Sequence, residues 1–353
     1  MRRIFIDSHI EAIADEYAEE VMSGKKYGDS ILHPDYFLGK LIKAFDDGNV
    51  CEYTSSTTSI VPADIDDFKR YVRAVRWFYK HGLLTAKPKK MRKYKVLFDK
   101  ILPSGRLKAK LKVGSRKVRP FNEIIVSCLQ YSLVRHYVAC KYIKRLGIKA
   151  CVYCNADFTV TTKDGQAFYD IDHWKPQSQY PFLAISFFNM QPSCHACNGL
   201  KNDDDTHEYF GLYEEDPNAE LEVFRFIIEP ADLARYLISG QPSAIHVKYE
   251  AKSVDDQQMR DNMDQRLCIT KRYAEHADVA EEIIRKKRFY NQAFLDSLKP
   301  IFQHQAADSS SNTFFFNGAD VKRFILGFYI DDQDIHKRPL NKMMLDIFKG
   351  IPS

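Results

Sequence analysis

Apolar residues recur at helical spacing in two early stretches, Ile10–Met22 and Ile65–Tyr79. They predict a helical N-terminal lobe over residues 1–86. Farther along, Gly105–Gly114 alternates apolar or small residues with cations. That is the two-residue period of a strand with one charged face, and it predicts a basic hairpin or ribbon. Asn122–Leu146 returns to the helical period, with Ile125, Leu129, Leu133, Tyr137, Ile143 and Leu146 near one stripe and Gly147 as the stop. The period then changes again. Phe158–Thr162 and Ala167–Ile171 flank Lys163-Asp164-Gly165, a strong hairpin signal. Residues 211–353 read as mainly helical, with Asp278–Phe302 the clearest helix and Asp308–Asn312 a loop. The expected fold class is α+β: a mostly helical chain with a small central sheet-and-helix core at 121–210 and a basic β-ribbon at 87–120.

Composition changes this picture only in places. The chain's 353 residues exceed what one hydrophobic core usually serves, so two or three lobes are expected. A hydrophobic content of 45% and a charged content of 28% describe an ordinary soluble protein. No apolar run approaches the length needed to cross a bilayer, which argues against a membrane role. The opening Met1-Arg-Arg-Ile-Phe-Ile-Asp7 is charged again too soon for a secretory core, so a cytoplasmic location is expected.

Charge matters more. From Lys87 to Arg119 there are fourteen Lys or Arg residues and one acid, Asp99, which leaves 38 basic and 46 acidic residues elsewhere. The net charge of +5 is therefore the work of one segment facing a polyanion. Its candidate contacts are Lys89, Lys90, Arg92, Lys93, Arg106, Lys108, Lys110, Lys112, Arg116 and Lys117. Arg285–Arg288, on an expected helix, reads as plain surface.

Of eight cysteines, Cys51, Cys128, Cys140 and Cys268 are scattered and read as small core residues. The other four form two Cys-x-x-Cys pairs, Cys151/Cys154 and Cys194/Cys197. In a reducing compartment such pairs argue for metal rather than disulfide. Four thiolates make a closed tetrahedral zinc site with no position open to substrate, so its role would be structural. With 39 residues between the pairs, zinc would clasp the two ends of that segment.

Between and across these pairs run Asp170-Ile-Asp-His-Trp-Lys-Pro-Gln-Ser178 and Asn189-Met-Gln-Pro-Ser-Cys-His-Ala-Cys-Asn-Gly-Leu-Lys201. The order of Asp-His, central Asn and Cys-x-x-Cys-Asn-x-x-Lys resembles the HNH endonuclease family in its ββα-metal form with a four-cysteine zinc site. The resemblance covers residues 151–203 and implies a nuclease core. It implies His173 as general base, Asp172 and Asn198 as ligands of a catalytic Mg²⁺ or Mn²⁺, Asn189 as the residue orienting His173, and Lys201 beside the phosphate. A neutral imidazole suits deprotonation of water near pH 7, and a hard cation suits charge on a phosphate. Asp170 shares a strand face with Asp172 and reads as a solvated acid rather than an auxiliary ligand. His195 is left over once four sulfurs satisfy zinc, and Asp203, Asp204 and Asp205 read as a solvated loop.

The longer run to Ala184, with Tyr180-Pro181 before the Asn, and Tyr273–Ile284 are similar to the HNH subunits of bacterial Septu-type anti-phage systems, including those beside some retrons. That similarity implies an ABC-type ATPase partner and cleavage of nucleic acid during infection, and the habit of the HNH family implies that the target is DNA. Two other readings are an RNA-cleaving effector, for instance against transfer RNA, and a zinc-stabilised nucleic-acid-binding module without catalysis. His173, Asp172, Asn189 and Asn198 together weigh against the binding module. Nothing in the sequence separates DNA from RNA, because either offers the same phosphodiester.

Overall fold

The computed structural model describes residues 1–53, 62–204, 207–290, 293–294, 296–297 and 323–352. The chain forms two compact units. The larger comprises Arg3–Gly147 and Val160–Ala219; the smaller comprises Met1–Arg2, Ile148–Thr159 and Glu220–Ser353.

In the larger unit, strand β1 (Ile4–Phe5) leads into helix α1 (Ser8–Met22). The Asp7 carboxylate caps α1 by accepting from the Ile10 amide at 2.8 Å, satisfying one orphan donor of the first turn. The apolar stripe expected at Ile10–Met22 is real: Ile10, Ile13, Ala14, Tyr17 and Val21 are buried. A small hairpin, β2 (Lys26–Tyr27) and β3 (Ser30–Ile31), precedes α2 (Pro34–Asp46). Strand β4 (Val50–Tyr53) and helix α3 (Pro62–Lys80) follow, and α3 buries Phe68, Tyr71, Val72, Val75 and Tyr79.

The basic segment departs from the expected β-ribbon. Its first half is a helix, α4 (Pro88–Ile101), which buries Met91, Tyr94 and Phe98 and turns its lysines outward. Those three apolar residues sit at i, i+3 and i+7, so the helical stripe outweighs the charge around it. Ser104–Lys108 is a 3₁₀ turn. Only β5 (Lys110–Val113) and β6 (Arg119–Pro120) are extended, and β5 lies between β4 and β6 in an antiparallel sheet. The two-residue period is visible in β5, where Leu111 is buried and Lys110 exposed.

The long helix expected at Asn122–Leu146 is broken. Helix α5 (Phe121–Cys128) ends before Gln130, whose φ of 54° is left-handed, and α6 (Tyr131–Val134) restarts the turn. A π turn, Arg135–Ala139, then feeds α7 (Cys140–Arg145). The break and the π turn rotate the buried stripe to Val134, Val138 and Tyr142, leaving Tyr137 exposed. Cys128 and Cys140 are buried, as expected. The Asp164-Gly165 turn forms, with Gly165 at φ 91° and the Thr162 amide donating to Gln166 at 2.9 Å, but only Thr161 and Ala167 pair as a bridge.

Strands β7 (Asp170–His173) and β8 (Met190–Ser193) pair antiparallel, and helix α8 (His195–Lys201) follows directly. Strand β9 (Tyr213–Glu214) closes against β1 in parallel. Aromatic packing joins the basic helix to the loop after β7. Phe98 of α4 stacks on Phe182 at 4.0 Å between ring centres, and Tyr71 and Phe121 complete the cluster.

In the smaller unit, β10 (Phe224–Ile228) and β11 (Val247–Ala251) form an antiparallel pair. Helices α9 (Pro230–Ser239), α10 (Gln257–Leu267), α11 (Ile269–Ala274), α12 (Ala277–Phe289) and α13 (Asn341–Gly350) belong to this unit. Within the expected helix at Asp278–Phe302, α12 runs to Phe289 and residues 293–294 and 296–297 are helical too, while the loop expected at Asp308–Asn312 lies outside the described residues. No described helix is long and apolar enough to cross a membrane.

Candidate active site and metal centre

Strand β7 and helix α8 have matching periods. Alternate residues of β7, Asp170 and Asp172, lie on one face, while His195, Asn198 and Lys201 recur at i, i+3 and i+6 along α8. The pairs meet in order. Asp170 Oδ2 accepts from Asn198 Nδ2 at 3.0 Å and lies 2.8 Å from His195 Nδ1. Lys201 Nζ lies 3.2 and 3.1 Å from the two oxygens of Asp172 and donates to the His173 carbonyl at 2.7 Å.

This geometry corrects two sequence expectations. Asp170 is not a solvated acid: its carboxylate also receives Arg135 at 3.1 Å and is a hub of charge-assisted bonds. Lys201 does not lie on a surface open to phosphate. It is 1% exposed, because its position on α8 faces β7, and a lysine so buried needs the carboxylate and carbonyl it finds. His195, although flanked by cysteines, is mostly exposed and belongs to Asp170. Of the acidic loop, Asp204 is not simply solvated, since it takes Tyr209 Oη at 2.7 Å and His207 at 2.8 Å; Asp205 lies outside the described residues.

His173 ends β7 and is buried. Its Nε2 sits 2.8 Å from the Ala184 carbonyl, an acceptor, so Nε2 carries the proton and Nδ1 keeps the lone pair. Burial pushes the imidazole's pKa below its ordinary value, and the Ala184 contact and Asp172 only partly offset it. The neutral ring is therefore favoured at neutral pH. The Tyr131 ring lies against it, with centroids 4.9 Å apart.

Asn189 is fully buried and acts on backbone alone. Its Oδ1 accepts from the Lys175 amide at 2.8 Å, and its Nδ2 donates to the carbonyls of Lys175 (3.1 Å) and Leu183 (3.2 Å). It thereby ties both ends of the loop from Lys175 to Ala184, the loop whose last carbonyl holds His173. The family resemblance implies that Asn189 orients His173; here the link runs through backbone. Gln191, opposite Asp172 in the sheet, carries no signal in the sequence. Its amide donates to Phe210 O and accepts from Leu212 N, pinning the following segment beside β8. There Gly211 passes so close to Trp174 that a Cβ would meet the indole at 2.9 Å, so a side chain is excluded. Nothing in the local pattern marks either residue, because their partners are distant in sequence.

Cys151, Cys154, Cys194 and Cys197 are all buried, and their sulfurs lie within 4.8 Å of one another. None is in a disulfide. A tetrahedral zinc–thiolate centre has sulfurs about 3.8 Å apart, so the cluster fits zinc. Two sulfurs already accept amide N–H groups: Cys154 from Ala156 at 3.4 Å and Cys194, the N-cap of α8, from Cys197 at 3.5 Å. Arg272 lies 3.6 Å from Cys154 Sγ.

The ten candidate polyanion contacts divide. Arg106 is committed to the buried Glu52 through two parallel bonds of 2.9 and 2.8 Å. Lys89 lies near Asp216, Lys90 over Tyr94 and Arg92 over Trp174. Lys93, Lys108, Lys110, Lys112, Arg116 and Lys117 form no ion pair among the described residues.

No family model matches this chain, and no solved structure matches it. Part of it is similar to a Septu protein. That relative, PtuB of Bacillus thuringiensis, is 27% identical over 85 residues, which is 24% of this chain and 32% of the relative. The match thus spans about a third of the relative's length.

Proposed function

We propose that the chain is a metal-dependent endonuclease of HNH type, acting on DNA as the effector of an anti-phage defence system. One observation carries the reading. His173 is held with Nε2 on the Ala184 carbonyl, which leaves Nδ1 to accept a proton, at the end of a strand whose acids face a helix bearing Asn198. A chain that only bound nucleic acid would need none of this. Nδ1 would take the proton of a water whose oxygen attacks phosphorus, and the P–O bond opposite would break. Asp172 and Asn198 would hold a divalent cation, with Asp170 directing the Asn198 amide and bound water completing the shell. That cation would neutralise charge growing on the phosphate and the departing oxygen. Asn189 and Lys201 act as positioning residues.

The similarity to a Septu protein supports the defence role, and with it an ABC-type ATPase partner. The four cysteines would hold structural zinc.

The test is cleavage of plasmid DNA and of RNA with Mg²⁺, Mn²⁺ or neither, for the wild type and for His173→Ala. Metal-dependent cutting that falls about 100-fold or more in the variant is expected. Equal cutting by both would remove His173 from the chemistry. RNA cut in preference to plasmid would reassign the polymer. Absence of cutting even with a co-purified ATPase partner would leave the binding module as the better reading.

A further inference from the structure

Two cavities of the larger unit adjoin, sharing Arg119 and Ser127 in their walls. Their chemistry differs. The smaller, about 430 Å³, is lined by the cations Lys40, Lys43, Arg116, Lys117 and Arg119 against one acid, Asp47. Apolar Phe37, Leu41 and Val113 also line it. Lys43, Arg116 and Lys117 form no ion pair among the described residues, so their charge is available to an anion. The larger, about 820 Å³, is lined mainly by neutral hydrogen-bonding groups, among them Gln130, Ser132, Gln177 and Ser178. Its Arg119 and Glu123 pair with each other at 3.4 Å. Such a lining is poor for phosphate and suited to the donors and acceptors on the edge of a base.

Two further observations point to a ligand there. Gln177 Oε1 and Ser178 Oγ are buried without a hydrogen-bond partner. An unsatisfied buried polar atom is costly, and a ligand that turned these side chains toward itself would recover that cost. The wall formed by Tyr131 also leads to the candidate base, because that ring lies against His173 and its hydroxyl donates to Ile171 O at 3.3 Å.

We infer that a single strand of nucleic acid runs along these two cavities toward His173, its phosphates over Lys43, Arg116 and Lys117 and one unpaired base beside Gln177, Ser178 and the Tyr131 ring. The strand's destination rests on the nuclease reading; the binding does not. A concave, neutral pocket takes a base whose pairing edge is free, which a duplex does not offer. Stacking on tyrosine adds affinity for any base, while the two orphaned groups discriminate among bases.

The test is fluorescence anisotropy with short labelled homopolymers of A, C and T or U, as DNA and as RNA, and with a mixed duplex, without added Mg²⁺ or Mn²⁺. The wild type should bind single strands more tightly than duplex and prefer one base by about fivefold or more. Gln177→Ala with Ser178→Ala should bring the homopolymers to within about twofold of one another. Arg116→Ala with Lys117→Ala, both exposed and tolerant of change, should weaken every homopolymer alike and lower the salt slope by roughly 1.4. Equal binding of all bases by the wild type, tighter binding of duplex, or a preference that survives the first variant would overturn the inference. Cleavage is not read, so even a chain that cuts nothing supports or overturns the strand's path by its binding alone. A chain that binds every base alike loses this inference and leaves the nuclease reading untouched.

Discussion

Residues 170–201 and residues 87–119 both stand out in the sequence for their polar content, and the structure treats them oppositely. In the first, polar side chains are withdrawn from water and bonded to backbone or to one another: Asp172, His173, Asn189, Gln191 and Lys201 are all buried. In the second, apolar residues are withdrawn and the cations left outside, with Arg106 the exception. Burial of a charge is costly unless it is paired, so Asp172 and Lys201 persist in the interior only because each meets the other. The second requires no such precision. A spaced motif therefore specifies contacts, whereas charge density specifies only a field.

That contrast is broken most forcefully at the cysteines. Cys151→Ser or Cys194→Ser should release zinc and unfold the surrounding segment, at a cost on the order of 5 kcal/mol or more. Metal content and far-ultraviolet circular dichroism of the purified variants would read this out. A folded, active, zinc-free variant would end the structural-zinc reading. Lys201→Ala comes next. It leaves Asp172 buried without its ammonium, so about 3–5 kcal/mol should be lost in urea unfolding. Unchanged stability with weakened phosphate binding would instead favour the place beside the phosphate that the family resemblance implies for Lys201.

How much is legible in the sequence follows the same line. Helices α1 and α3 are legible because each buries a stripe its own residues spell out. Helix α4 carries an equally plain stripe in Met91, Tyr94 and Phe98, but the density of lysines between them masks it and favours a ribbon. The pairing of β4 with β5 joins Val50 to Val113 and cannot be seen locally. At the site, residue types and order tell which side chains gather around β7 and α8, since strand and helix periods put them there. The direction of Lys201, the hub at Asp170 and the clamp at Gln191 depend on what packs across from them. Gln130, a left-handed residue with no glycine to announce it, breaks the helix without a local signal.

The remaining tests divide the basic segment itself. Arg106→Ala should cost roughly 2 kcal/mol, since Glu52 stays buried without its guanidinium, and should leave nucleic-acid affinity nearly unchanged. A large loss of affinity with intact stability would place Arg106 in the interface after all.

The smallest effect on the fold, and the sharpest on the field, belongs to Lys110→Ala with Lys112→Ala. Both residues are on β5, where Leu111 between them supplies the buried contact, so stability should stay within about 0.5 kcal/mol of wild type. Each phosphate contact removed lowers the dependence of log affinity on log salt by roughly 0.9 on duplex DNA. If both lysines meet phosphates, the slope falls by close to twice that and affinity weakens for every sequence alike. An unchanged slope would assign these two cations to a solvated face. The polyanion would then be held elsewhere in the segment, with Arg116 and Lys117 the first to examine, because their side chains share a cavity wall rather than an open strand.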